Sequence, residues 1–230
     1  DWSPESSYLL LLGETNDSGG HGHYDQSSFT IYAHGAQLAL DGGYAGYDKT
    51  HRDLYHELIY PEGHNLILAD GTGPCEIGYH QAGDPFYLRH YFVTPFLDSA
   101  DVVGAYTYVG RMGVGYHPVD DIGYDNVDDV RIVRTVLYPK QMALSTENEY
   151  FIIIDTVEGD EIHTYDWVLH ANGHLSGEGG QERRWQVEND AGETVELRAF
   201  FAWPDGLSIT EHQGVHFIDK EEALTHTYIK

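Results

Sequence analysis

The sequence predicts an all-β chain, an antiparallel β-sandwich, and three observations carry that expectation. Short segments alternate apolar and polar residues with a period of two, as in SSFTIYA from Ser27 and ADVVGAYTYV from Ala100. Glycine, aspartate and proline punctuate them at short intervals, as at Gly35, Asp70-Gly71 and Asp190-Ala191-Gly192. No segment longer than a turn or two repeats apolar residues at helical spacing. Two antiparallel sheets sharing one core accommodate such strands, and residues 1–230 are read as one domain.

Taken in order, SYLLLLGE from Ser7 reads as a strand, apolar throughout and therefore buried on both faces. NDSGG is a loop that delivers His21 and His23, with Asp25 two residues on. SSFTIYA is a half-buried strand, His34-Gly35 a turn, and AQLAL the returning strand that ends at Asp41. Residues 42–60 form a long, poorly periodic excursion with a short helical turn expected around RDLYHEL; His51, Arg52, Tyr55, His56 and Tyr60 crowd into it. His64-Asn65 heads the next strand, which turns at Asp70-Gly71.

Between Gly78 and Asp101 aromatic residues are dense, and Pro85 and Pro95 interrupt any long strand. The stretch from Gly113 to Asp129 carries five Asp within its last ten residues. It lacks the ligand order and closing Glu of an EF-hand, so it reads as a solvated acidic loop. VRIVRTVLYP, EYFIIIDTV and EIHTYDWVLH follow as strands, the last two expected to form a hairpin across EGD. RWQVEND and ETVELRAFFAW pair across Asp190-Ala191-Gly192, LSITEHQ is a strand, and HFIDKEEALTHTYIK reads as a ragged end.

A hairpin sets the start of one strand beside the end of the next, so His21, His23 and Asp41 are expected to be neighbours. With His64, two or three imidazoles and one carboxylate make a zinc-type ligand set. The chain has 15 histidines, so an HxH pair also arises by chance. His163 and His170 lack a carboxylate at ligand spacing and read as structural.

On His21, His23, Asp25, Ser28, Phe29, Tyr32, Gly35, Leu38, Asp41, Gly43, Tyr44 and then His64-Asn65, the chain resembles the heparinase II/III-like polysaccharide lyases. The later strands resemble the sheet that continues the family's zinc-bearing β-domain. The resemblance implies β-elimination of an anionic, uronate-containing polysaccharide or oligosaccharide. It implies His21 as a catalytic residue facing the cleft, and His23, Asp41 and His64 as ligands of a largely structural zinc ion. Tyr55 and Tyr60 lie where related lyases place a tyrosine near the cleft, with Tyr55 taken as the catalytic one, and Arg52 is the local cation for a substrate carboxylate. An N-terminal helical toroid of the same enzyme is implied as partner, with a secreted or periplasmic setting.

The formal charge of −26 on 230 residues excludes ordinary nucleic-acid binding, which needs a basic footprint. It also opposes a polyanionic substrate unless zinc and local arginines reverse the potential in the cleft or a basic partner domain supplies it. No apolar run reaches the length of a membrane span. Cys75 is the single cysteine, so no disulfide within the chain is available. Two rival readings are a non-catalytic carbohydrate-binding or structural β-sandwich and a cupin-like metal enzyme. The cupin pattern needs a Glu soon after HxH, and the first Glu downstream is Glu57.

Overall fold

A computed structural model describes residues 3, 6–13, 23–43, 58–74, 86–106, 130–140, 149–217 and 223–230. The chain is all-β with antiparallel sheets, in agreement with the sequence. Its strands are β1 (Tyr8–Leu11), β2 (Phe29–Ala33), β3 (Ala36–Ala39), β4 (Ile67–Ala69), β5 (Phe86–Val93), β6 (Leu97–Tyr106), β7 (Val130–Pro139) and β8 (Ile152–Glu158). They continue as β9 (Tyr165–Trp167), β10 (Leu169–Ala171), β11 (His174–Gly179), β12 (Glu182–Glu188), β13 (Thr194–Phe200), β14 (Glu211–Phe217) and β15 (Ala223–Ile229). A 3-10 turn, Pro61–Gly63, precedes His64. Two compact units divide the chain: Asp1–Leu10, Ser28–Leu68 and Asp166–Lys230 form the first, and Leu11–Ser27 with Ala69–Tyr165 the second.

The first unit is built on a six-stranded sheet in the order β1-β2-β3-β10-β15-β14, accompanied by the three-stranded sheet β11-β12-β13. The β2–β3 hairpin follows from its turn. His34 and Gly35 both have positive φ, at 52° and 76°, the combination that a two-residue type I′ turn requires. Alternation in β2 then buries Phe29, Ile31 and Ala33 on one face. Leu66, Leu68 and Val168 pack together against Tyr228, and Trp185 is buried from β12. Burial of each such side chain contributes about 1.5–3 kcal/mol.

The second unit holds the four-stranded sheet β5-β6-β7-β8. Strand β7 buries Val130, Ile132, Arg134 and Val136 at every second position. Phe86 lies over Gly104, its partner in the β5–β6 register, where a side chain would collide with the ring. Pro85 and Pro95 flank an eight-residue strand, β5, rather than dissolving it.

Three expectations are corrected. Strand β1 is an edge strand and is not buried on both faces, because Tyr8 and Leu10 are exposed. EYFIIIDTV and EIHTYDWVLH do not form a hairpin: β8 pairs with β7, β9 pairs with β4, and β10 pairs with β3 and β15. Val168 divides β9 from β10, and its N–H donates to the Leu66 carbonyl at 2.9 Å. The C-terminal stretch is no ragged end, since β15 runs between β10 and β14 with full register to β14. The expected helical turn around RDLYHEL and the acidic loop lie outside the described residues, apart from Leu58.

Candidate metal centre

Asp41 follows β3 by two residues, and its position is set by the backbone on both sides. The Leu40 N–H donates to the His170 carbonyl at 2.9 Å, and the Phe217 N–H donates to the Gly42 carbonyl at 3.1 Å. Gly43 has φ +74°, and a Cβ there would sit 2.8 Å from the Phe217 carbonyl oxygen, so only glycine suits this close approach. The Gly43 N–H in turn donates to Asp41 Oδ1 at 3.0 Å, which orients the carboxylate.

His64 enters from the other side of the sequence. The 3-10 turn ends on it, with the His64 N–H donating to the Pro61 carbonyl at 3.2 Å. Its side chain is fully buried, and Nδ1 lies 2.8 Å from Asp41 Oδ2. The other ring nitrogen, Nε2, lies 3.4 Å from the Ile59 carbonyl oxygen. The 2.8 Å contact is the stronger of the two, so in the neutral ring Nδ1 carries the hydrogen and donates to the carboxylate, which only accepts. Replacing that proton with a metal ion would use the same nitrogen and the same carboxylate as ligands. A backbone carbonyl holding the far nitrogen is the usual outer support of a metal-bound histidine.

Asn65 locks this corner. Its N–H donates to Ser28 Oγ at 3.1 Å, and its Nδ2 donates to the Phe29 and Leu40 carbonyls at 2.7 and 2.6 Å. Its Oδ1 accepts the His170 N–H at 2.6 Å. The start of β2 and the chain leading into Asp41 are thus both tied to the residue that follows His64.

His23 belongs to the second unit and is partly buried. By donor type, His23, Asp41 and His64 make a candidate His/Asp metal-ligand set. One carboxylate and two imidazoles match the nitrogen and oxygen set that zinc accepts. His21, Arg52 and Tyr55 lie outside the described residues.

Several supporting residues had no part in the sequence reading. In the second unit, Arg134 is fully buried and makes a two-pronged pair with Asp155, Nε to Oδ1 at 2.8 Å and Nη2 to Oδ2 at 3.0 Å. Its Nη1 donates to the Ser27 carbonyl at 2.7 Å, four residues from His23. The available signal was parity, because Arg134 alternates in step with the apolar residues of β7. His163 has a carboxylate after all: its Nδ1 is 2.7 Å from Asp70 Oδ2. That hydrogen bond, with the Thr164 N–H on Oδ1, holds the Asp70 carboxyl below the usual range. His170, read as structural, is 2% exposed, with both ring nitrogens in hydrogen-bond contact.

The sequence family described as "Heparinase II/III-like, C-terminal" matches residues 12–227. Among solved structures, the chain is similar to a heparinase III gene product with methylated lysines, at 14% identity and a TM-score of 0.70, covering 100% of this chain and 30% of that one. It is similar to a mutant of heparan sulfate lyase HepC from Pedobacter heparinus, at 13% identity and a TM-score of 0.70, covering 99% and 30%. The unmutated HepC matches at 13% identity and a TM-score of 0.66. The chain thus spans about 30% of the length of these structures. No curated protein matches it.

Proposed function

The chain belongs to the heparinase II/III-like C-terminal family, and from that premise we propose that it is the β-rich part of a polysaccharide lyase with a zinc-supported active-site loop. The observation that carries this reading is the Asp41–His64 pair, a fully buried imidazole nitrogen held 2.8 Å from a carboxylate oxygen, two donors of the zinc type side by side. His23 completes the ligand set. Two neutral imidazoles and one carboxylate leave a dipositive ion net positive, which helps an anionic substrate approach a chain of charge −26.

The reaction is β-elimination on a uronate polymer. A base takes the proton at C5, the electron pair forms the C4–C5 double bond, and the C4–oxygen bond breaks. An acid then protonates the departing oxygen. His21 and Tyr55 supply the base and acid chemistry, and Arg52 neutralises the carboxylate as charge moves onto it. An N-terminal helical domain of the same enzyme completes the cleft, and the enzyme works outside the cytoplasm, in the periplasm or medium. Zinc, when bound, contributes fixed positive charge and anchors the loop bearing His21; Asp41, His64 and His23 hold it in place.

The test is a matched pair of variants in the full-length enzyme, with zinc content and turnover measured on both. His21→Ala should keep its zinc and lose on the order of a hundredfold or more in turnover on uronate polymers, read by the absorbance of the unsaturated product. His23→Ala should lose zinc. If His21→Ala releases the metal while His23→Ala retains it, the assignment of the two histidines is reversed. Iron in place of zinc would favour oxygen chemistry over elimination.

A further inference from the structure

Three histidines stand in a line through the first unit, on β10, β15 and β14. His170, His226 and His216 are 2%, 3% and 5% exposed, so none of them is solvated. His170 Nε2 is 2.8 Å from the Glu62 carbonyl oxygen, and His170 Nδ1 is 2.7 Å from His226 Nε2. His226 Nδ1 is 3.2 Å from His216 Nδ1. The carbonyl at the end determines every proton. It only accepts, so His170 carries its hydrogen on Nε2 and presents a lone pair at Nδ1. His226 must then donate from Nε2 and accept at Nδ1, and His216 donates from Nδ1. All three rings are neutral in this arrangement, and every contact along the line joins a donor to an acceptor. Reversing it would set a lone pair of His170 against the Glu62 oxygen, so the line holds a direction and does not pass protons along. Burial supports the neutral forms, pushing His170 down to about 3 and His226 down to about 4.

The line ends on the segment that presents His64. Glu62 lies within the 3-10 turn Pro61–Gly63, where the Gly63 N–H donates to the Tyr60 carbonyl at 2.9 Å. The backbone of His170 grips the neighbours of both metal-site residues: its N–H donates to Asn65 Oδ1, and its carbonyl accepts the Leu40 N–H. One residue therefore holds Leu40 just before Asp41, Asn65 just after His64 and Glu62 in the turn before His64. We propose that His170, oriented by His226 and His216 behind it, is a positioning residue that sets Asp41 and His64 relative to each other. The proposal rests on reading those two residues as metal ligands.

The experiment uses the full chain and four variants. His170→Phe keeps an aromatic ring over Tyr228, on which His170 stacks at 4.5 Å, but removes the donor. His170→Gln retains an N–H, and His226→Phe and His226→Gln repeat the comparison one step back. Zinc affinity is measured by competition with a chromophoric chelator, imidazole tautomers by nitrogen-15 NMR, and exchange of the Gly63 and His64 amides by hydrogen exchange. His170→Phe should weaken zinc binding by about 10–100-fold, the usual effect of losing an outer support, with faster exchange at both amides. His170→Gln should restore most of both. His226→Phe should alter the Nδ1 signal of His170 and weaken zinc to a smaller degree. A folded His170→Phe that binds zinc as the wild type does, with unchanged exchange, overturns the proposal. If His170→Phe fails to fold, equal zinc affinity in His226→Phe and His226→Gln overturns it. If the wild type binds no zinc, the metal reading falls, and the positioning role then stands or falls on amide exchange in His170→Phe alone.

Discussion

Asn65 makes four hydrogen bonds from full burial, and three of them satisfy backbone groups of Phe29, Leu40 and His170. Asn65→Leu would fill similar space and leave those three groups without this partner. Each buried orphan costs about 1–3 kcal/mol, so the variant should lose on the order of 3 kcal/mol or more, read from the urea midpoint. A loss below about 1 kcal/mol would mean that water or a neighbour replaces the amide. The sequence displays Asn65 only as half of an HN pair at the head of an apolar run. Its partners lie 25 to 105 positions away, and no local pattern encodes such a meeting. Asp41 and His64 were legible as chemical types, because a carboxylate and imidazoles beside strand ends are a recognisable donor set. Their 2.8 Å approach was not, since that depends on the 3-10 turn and on the backbone that holds Leu40 and Gly43.

At the scale of strands, β7 and β8 carry the clearest test. The Arg134–Asp155 pair joins them in register, and Arg134 is its fully buried member. Removing one partner of a buried pair leaves a charge uncompensated, so Arg134→Met should cost about 3–5 kcal/mol. The double variant Arg134→Met with Asp155→Leu should recover much of that loss, because neither charge is then stranded. Chemical denaturation of the four proteins in the cycle gives the answer; an additive result would show that the two side chains act independently. Alternation made β7 legible, including which face it buries. It could not exclude the expected hairpin between EYFIIIDTV and EIHTYDWVLH. EGD is an acceptable turn, and the competing partners, β7 for one strand and β4, β3 and β15 for the others, are set by the assembled sheets.

For the whole molecule, the buried histidines predict how stability follows pH. His226 is pushed from its ordinary 6.5 down to about 4, first by burial and then by His216. Its folded pKa lies below its unfolded one, so on acidification the unfolded chain takes up the proton first. The stability it contributes is intact above about 6.5 and is lost as pH falls from there to about 4. His170 and His216 are lowered in the same direction, so the effects add in sign. Urea midpoints measured from neutral pH down through this window should fall, and His226→Gln, which cannot titrate, should fall less steeply. Parallel profiles for the two proteins would show that His226 is not the group responsible. The −26 charge acts in the opposite sense, because protonating carboxylates relieves self-repulsion.

The sequence by itself determined the all-β class, the half-buried character of β2, the hairpin at His34-Gly35 and the turn at Asp190-Ala191-Gly192. It also determined the donor types in the candidate metal centre. Period-two alternation states which side of a strand is apolar, and positive-φ turn residues state where the chain reverses, and both are local properties. Tertiary structure alone decided which strands are neighbours, that β15 lies inside the sheet and β1 at its edge, and that His170, His226 and His216 meet. A strand's partner is chosen by burial and backbone hydrogen bonding across the whole sheet. The same alternation fits several neighbours, and only the assembled sheet distinguishes them.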